Sequence, residues 1–372
     1  MKTYTSDSCL RLARRVNNRK RTYLLVNPLQ GKHLPVSPIQ ALEMMKTLGD
    51  RLAEEFPETR LVIGFAETAT AVAAMAASCF DKRCVYIHTT RESLPEGSAI
   101  EFREEHSHAV EQSLYCREMD AWLRETETVV LIDDEISTGR TILNMIDQLS
   151  AQFPSLRSKR IVAASLLNRV SQENQNRLAA EGILCRYLVK LPQEDYTQAV
   201  AGFSVREAAV PPPVPVLAWE RLPLAFCDPG RGVLAFDYLD VCRRRAEALL
   251  PCLREALGPD RRLLVLGAEE CMLPALVLGA VLERQGGYAQ VRCHATTRSP
   301  IGVSGAPGYP IREGWRLPSL CDANRTAYLY NLDHYDAVLL VSSRGEPAGL
   351  EALAKALSVH GCGARYWIGG SV

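Results

Sequence analysis

Within VVLIDDEISTGRT (129–141), two adjacent carboxylates stand just ahead of a turn rich in hydroxyls and glycine. Asp133 and Asp134 can accept hydrogen bonds from a vicinal diol. Ser137, Thr138, Gly139, Arg140 and Thr141 can form a cup for an oxyanion. Gly139 allows close backbone approach, successive N–H groups converge, and a helix beginning here would add its positive end. A ribose 5-phosphate presents that pair of features, with its 2- and 3-hydroxyls for the acids and its phosphate for the cup. The alternative is a solvated acidic turn after a core strand; the order of strand, acids, glycine and helix favours the ligand site.

The acids need a scaffold. Residues 129–132 are apolar without alternation, which predicts a central strand of a parallel sheet, buried on both faces and ending at Asp133. ILNMIDQL then predicts a helix, so the acids fall at the carboxyl edge where open α/β sheets bind ligands. Further strands are expected at 23–26, 61–65, 84–88 and 160–166. A helix opened by Ser37 as N-cap and Pro38 at N1 follows the first of them. This alternation predicts an α/β fold with a mostly parallel, doubly wound sheet.

Length and composition bound the organisation. At 372 residues two domains are expected, and PPPVPV at 211–216 is stiff and unable to continue either regular element. The expected division is a first domain at 1–210, a linker at 211–217 and a second α/β domain at 218–372. With 43 basic and 43 acidic residues, the charge balance gives no sign of a nucleic-acid partner. The basic tract at 11–21 reads as a solvated terminal segment. Twelve cysteines without CxxC pairs read as reduced thiols of a cytoplasmic protein, and no segment has the length of a signal peptide core or a membrane span.

The second half echoes the first. LLVLGAEECMLPALVLGAVLE aligns with LVIGFAETATAVAAMAAS, VRCHATTRSP with VYIHTTRES, and AVLLVSSRGEPAGLEALAKAL with VVLIDDEISTGRTILNMIDQL. Ser342 and Ser343 replace the two acids, so a degenerate copy would bind a different ligand or none. Chance likeness of two strand-turn-helix units is the alternative.

The strand, paired acids and Ser/Thr-Gly-x-Thr turn resemble the loop that binds phosphoribosyl pyrophosphate (PRPP) in type I phosphoribosyltransferases. Together with GKHLPVSP, EEHSHA and the letters TRSP, they resemble the two-domain family of tellurium-resistance (Ter) stress gene clusters, in which an orotate-phosphoribosyltransferase-like domain precedes a TRSP domain. The resemblance implies Mg2+-dependent transfer of phosphoribose from PRPP to a nitrogenous base-like acceptor, with release of pyrophosphate. It implies a homodimer and other enzymes of the same pathway as partners. A non-catalytic PRPP sensor and a ribose-phosphate pyrophosphokinase remain as alternatives, although the latter keeps its intact loop in the second half.

Particular residues take roles from that resemblance. Asp133 and Asp134 would orient the ribose. Ala66, Glu67, Thr68 and Ala69 stand at the position of the pyrophosphate loop, with Arg91 beside it. Arg103 and His106 lie in the polar stretch 92–112, at the place of the catalytic loop. Asn27, Gln30, Lys32 and His33 could form a cover for the base, as could 191–203. Thr297, Arg298 and Ser299 mark a TRSP-domain site, Arg298 serving either an anion or the bracing of its own loop. The purine-salvage branch has an aspartate near the start of the phosphate turn where this chain has Ser137, which favours an orotate-like or unusual base over a 6-oxopurine.

Overall fold

The computed structural model describes residues 2–16, 21–92, 99–102, 112–222, 224–226, 228–343 and 347–369. Two compact units interleave along the chain. The first comprises Met1–Tyr4, Glu43–Gln193 and Asp228–Asp240; the second comprises Thr5–Leu42, Glu194–Cys227 and Val241–Val372. The units therefore do not follow the expected division into 1–210 and 218–372. One reason is local pairing: Tyr23–Val26 pairs antiparallel with Arg11–Arg14 rather than entering the main sheet, and Val233–Leu234 adds an antiparallel edge to Val85–His88.

In the first unit, Val85–His88, Thr59–Gly64, Thr128–Ile136, Arg160–Asn168 and Ile183–Lys190 lie side by side and parallel. Numbered along the chain, these five strands run 2-1-3-4-5. The switch point of that order lies between the Thr59–Gly64 and Thr128–Ile136 strands, where the chain departs to opposite faces and leaves a crevice at the carboxyl edge. Leu61, Val62, Ile63, Val129, Val130, Leu131 and Ile132 are buried, which accounts for their lack of alternation. The Arg140–Gln152 helix buries Ile142, Met145 and Leu149 in a core shared with Leu61, Ile63 and Leu131.

Two expectations about the strands need correction. The central strand does not stop before the acids but runs on to Ile136, because Asp133, Glu135 and Ile136 continue the ladder with the Arg160–Asn168 strand. The polar stretch 92–112 is not entirely loop, since Ala99–Phe102 and Gln112–Tyr115 form an antiparallel ribbon. Ile100 and Phe102, alternating around Glu101, carry it into the core together with Leu114 and Tyr115.

The second unit has a parallel sheet in the order Glu220–Leu222, Ala364–Ile368, Ala337–Val341, Arg262–Gly267, Gln290–Ala295. Its last four strands repeat the order 2-1-3-4. A second ribbon, Gly314–Pro318 with Thr326–Tyr330, follows the second of these strands, as the first unit's ribbon follows Val85–His88.

The repeat extends to single hydrogen bonds. The Phe65 N–H donates to the Ile132 carbonyl at 3.0 Å and the Ala268 N–H to Val341 at 2.9 Å; Thr89 donates to Gly64 at 2.9 Å and Thr296 to Gly267 at 3.1 Å. Thr90 bridges Ser113 in its ribbon as Thr297 bridges Tyr328. Gly139 and Gly349 both stand in the left-handed region directly before a helix, with φ of 77° and 68°. The sequence echo is thus a structural repeat. Among the described residues, no helix is long and apolar enough to cross a membrane.

Small residues set the spacing below the first crevice. The Thr70–Ala77 helix, TAVAAMAA, is buried on every side. It lies so near its strand that a Cβ at Gly64 would fall 2.6 Å from Ala73 Cβ. Gly64→Ala is therefore expected to lower stability by about 1–3 kcal/mol through overpacking, read as a shift in the urea midpoint with unchanged slope.

Candidate active site

The first crevice owes its openness to strand length. Pairing between Thr59–Gly64 and the central strand ends at Gly64 opposite Ile132, whereas pairing on the other side continues through Asp133 to Ile136. Both acids consequently lie beyond the end of one neighbour, half-buried and on the open side of the switch point. The Asp134 N–H donates to Asp133 Oδ1 at 2.9 Å, and Thr68 Oγ1 donates to Asp134 Oδ1 at 2.6 Å. Desolvation, then the charge and hydrogen bonding of Asp134, hold the Asp133 carboxyl well above the usual carboxylate range.

The turn that follows delivers the helix. Ser137 is half-buried, while Thr138, Arg140 and Thr141 are exposed. Gly139 takes φ 77° because the chain must reverse into the helix there, and a Cβ would meet Leu178 Cδ1 at 2.8 Å. The Arg140 N–H lies 3.4 Å from Thr138 Oγ1, and Arg177 Nη2 donates to the Thr138 carbonyl at 3.3 Å. The first-turn N–H groups of a 13-residue helix thus follow the acids across the turn that ends at Gly139.

The segment after Thr59–Gly64 reaches the same edge. Ala66, Glu67 and Ala69 are buried, Thr68 is half-buried, and the Ala66–Glu67 peptide bond is cis. The structure therefore brings Ala66–Ala69 together with Asp133 and Asp134 through Thr68. Arg91 is exposed after the Val85–His88 strand. Arg103 and His106 lie outside the described residues.

Asn27, Gln30, Lys32 and His33 belong to the second unit. Asn27 Oδ1 accepts from the Leu29 N–H at 2.9 Å, which makes it a turn cap. Lys32 is fully buried, and its Nζ donates to the carbonyls of Glu269 and Thr296 at 3.0 and 2.9 Å. Its ammonium thus ties together two loops of the second unit. A buried lysine in a Pro/Gly turn carried no sequence signal of its distant carbonyl partners.

The second crevice is filled by its own side chains. Glu269, at 2 % side-chain exposure, accepts from Arg298 Nε at 3.1 Å and from Ser319 Oγ. Thr297 Oγ1 accepts from the Ser299 N–H at 3.2 Å, so Thr297 and Ser299 form a turn that presents Arg298 to Glu269. By the matched hydrogen bonds Glu269 corresponds to Ala66, and the copy supplies a carboxylate where the first unit has a methyl. Of the two roles open to Arg298, bracing is the one the geometry displays. Ser319 carried no sequence signal of this contact.

Comparison with known proteins gives two family matches. Residues 9–189 match the family described as phosphoribosyl transferase, and residues 234–357 match the TRSP domain that lies C-terminal to it. No curated protein matches the chain. Among solved structures, adenine phosphoribosyltransferase from Rhodothermus marinus is similar at 15% identity over 50% of this chain and 96% of that one, with a TM-score of 0.36. The Trypanosoma brucei enzyme, solved with AMP, pyrophosphate and ribose-5-phosphate, is similar at 18% over 43% and 67%, with a TM-score of 0.30. Orotate phosphoribosyltransferase from Aeropyrum pernix is similar at 20% over 40% and 69%, with a TM-score of 0.27. The chain belongs to the phosphoribosyltransferase family and carries a C-terminal TRSP domain.

Two outcomes are expected from these electrostatics. Because its carboxyl is raised, the native protein holds the Asp133 proton more tightly than the unfolded chain does. Asp133 should thus cost stability as pH rises from the ordinary carboxylate range through the raised value. Asp133→Asn should flatten that part of the profile in urea titrations run from the ordinary carboxylate range upward. Arg298→Met should strand a buried carboxylate and lower the unfolding free energy by about 3 kcal/mol, with calorimetric melting as the check.

Proposed function

We propose that the first unit transfers a 5-phosphoribosyl group from PRPP to a ring nitrogen of a base-like acceptor and releases pyrophosphate. The observation that carries this reading is the pair of half-buried carboxylates on the uncovered length of the central strand, followed after the strand ends at Ile136 by a left-handed glycine and a helix N-terminus. Asp133 and Asp134 accept hydrogen bonds from the 2- and 3-hydroxyls, and their charge stabilises the cationic sugar as its C1–oxygen bond loosens. The turn from Ser137 to Thr141 binds the 5-phosphate and orients the ring. The acceptor nitrogen supplies the electron pair of the new C1–N bond, and pyrophosphate departs with the pair of the broken C1–O bond. Ala66–Ala69 and Arg91 receive that anion, with Arg103 and His106 closing on it.

Magnesium fits the donor set. Two adjacent carboxylates are hard oxygen donors, and a bound cation would offset both the burial and the Asp134 charge that raise Asp133. When bound, Mg2+ would neutralise pyrophosphate charge, held by PRPP oxygens and water with Asp133 and Asp134 alongside. For the acceptor, Ser137 at the start of the phosphate turn supports an orotate-like ring that needs no added carboxylate base. The TRSP resemblance extends the reading to a nucleotide- or nucleoside-like product of a tellurium-resistance-linked stress pathway, made by a cytoplasmic homodimer.

Calorimetric titration of Mg2+ and PRPP into the whole chain tests the reading. Saturable binding is expected, with a loss of about a hundredfold or more when Asp133 and Asp134 are both changed to Asn. Binding should be followed by pyrophosphate release once an acceptor is supplied. Absence of PRPP binding by the unmodified chain would overturn the transferase assignment of this crevice; binding without release for any base tested would leave a sensor.

A further inference from the structure

Thr89, directly after the Val85–His88 strand, is fully buried and points its hydroxyl at two other segments of the first unit. The Ala66 N–H donates to Thr89 Oγ1 at 2.8 Å. An amide can only donate, so the hydroxyl must accept there and its own proton is left for a second partner. That partner is Gln112 Oε1, at the start of the second ribbon strand. Thr89 therefore joins the loop that begins at Ala66 to the ribbon. The same loop reaches the acids through Thr68, whose hydroxyl donates to Asp134 Oδ1. A continuous polar path runs from Gln112 through Thr89, Ala66 and Thr68 to Asp134.

The internal repeat separates scaffold from function along this path. In the second unit the Glu269 N–H donates to Thr296 Oγ1 at 3.0 Å, the counterpart of the bond between Ala66 and Thr89. Anchoring the loop by a threonine hydroxyl thus belongs to the fold. What differs is where the path leads: to Asp134 in the first unit, and to the carboxylate-filled crevice of Glu269 in the second. The backbone already fixes the ribbon next to Thr89, through the Thr90 N–H to the Ser113 carbonyl at 2.7 Å and the reverse bond at 2.8 Å. The hydroxyl is therefore not needed to hold the ribbon in register.

We propose that Thr89 is a positioning residue for phosphoribosyl transfer, its hydroxyl fixing the Ala66–Ala69 loop against the ribbon and so orienting Thr68 towards Asp134. This rests on the transferase reading of the first crevice. Thr89→Val keeps the shape and removes the hydroxyl, leaving the Ala66 N–H without its acceptor; Thr89→Ser keeps the hydroxyl.

The test uses the whole chain and two readouts: calorimetry with Mg2+ and PRPP, and native-state hydrogen exchange at residues 66–69 without ligand. Thr89→Val is expected to weaken PRPP binding about tenfold and to speed exchange at 66–69, and Thr89→Ser to restore both. Gln112→Leu alone should weaken binding, yet add nothing in the Thr89→Val background. The proposal is overturned if Thr89→Val binds PRPP like the unmodified chain, if serine fails to restore it, or if the Gln112 and Thr89 losses simply add. Should the unmodified chain bind no PRPP, the transferase reading fails first. Exchange then decides the link alone: faster exchange in Thr89→Val but not in Thr89→Ser upholds it, and unchanged exchange overturns it too.

Discussion

The first unit depends on one strand outrunning its neighbour. The central strand is buried on both faces and paired on both sides as far as Ile132, and from Asp133 onward it is paired on one side only. Within the doubly paired length, carboxylates would face full desolvation with no partner, a cost that only apolar residues avoid. Beyond Ile132 the sheet still fixes the backbone while one side is open, so acids can be held rigidly and remain within reach of a ligand. Their placement at the switch point follows from the 2-1-3-4-5 order, which sends the flanking helices to opposite faces. Strand order, strand length and the position of the acids are thus a single constraint.

The two units show how few side chains distinguish two crevices built on one scaffold. Strand order, left-handed glycine, ribbon and threonine anchor recur in both. In the second unit a carboxylate at Glu269 occupies the position of Ala66, and it takes up the guanidinium of Arg298 and the hydroxyl of Ser319. The two acids of the first unit are replaced by Ser342 and Ser343, which bring no like-charge repulsion for a cation or a diol to relieve. The scaffold is common to both units, and a few side chains set the chemistry of each crevice.

Much of this was legible in the residues because the signals were local. The apolar run at 129–132, the acids, Gly139 and the helix after it are contiguous, and each follows from short-range chemistry. The echo was legible for the same reason, since every strand keeps its own turn. What was not legible depended on distant partners. Nothing near Lys32 announces the carbonyls of Glu269 and Thr296, and nothing near Tyr23 announces that its strand joins the second unit. The continuation of the central strand to Ile136 was hidden as well, because whether acids end a strand depends on how far its neighbour extends. The ribbon at Ala99–Phe102 and Gln112–Tyr115 was masked by the shortness of its segments and the charged residues between them.

The interleaving of the units bears on how the family's two named segments relate. The phosphoribosyl transferase match begins at residue 9, yet Thr5–Leu42 packs in the second unit; the TRSP match begins at residue 234, yet the chain up to Asp240 packs in the first. Each unit therefore completes itself with residues from the other's sequence segment. Val233–Leu234 lengthens the first sheet, and Arg11–Arg14 with Tyr23–Val26 contributes Ala13, Leu24 and Val26 to a core with Ile301, Val303 and Tyr330. A cut between the segments would expose an unpaired edge on one unit and strip apolar cover from the other. The transferase and TRSP segments thus each lend elements to the other's unit.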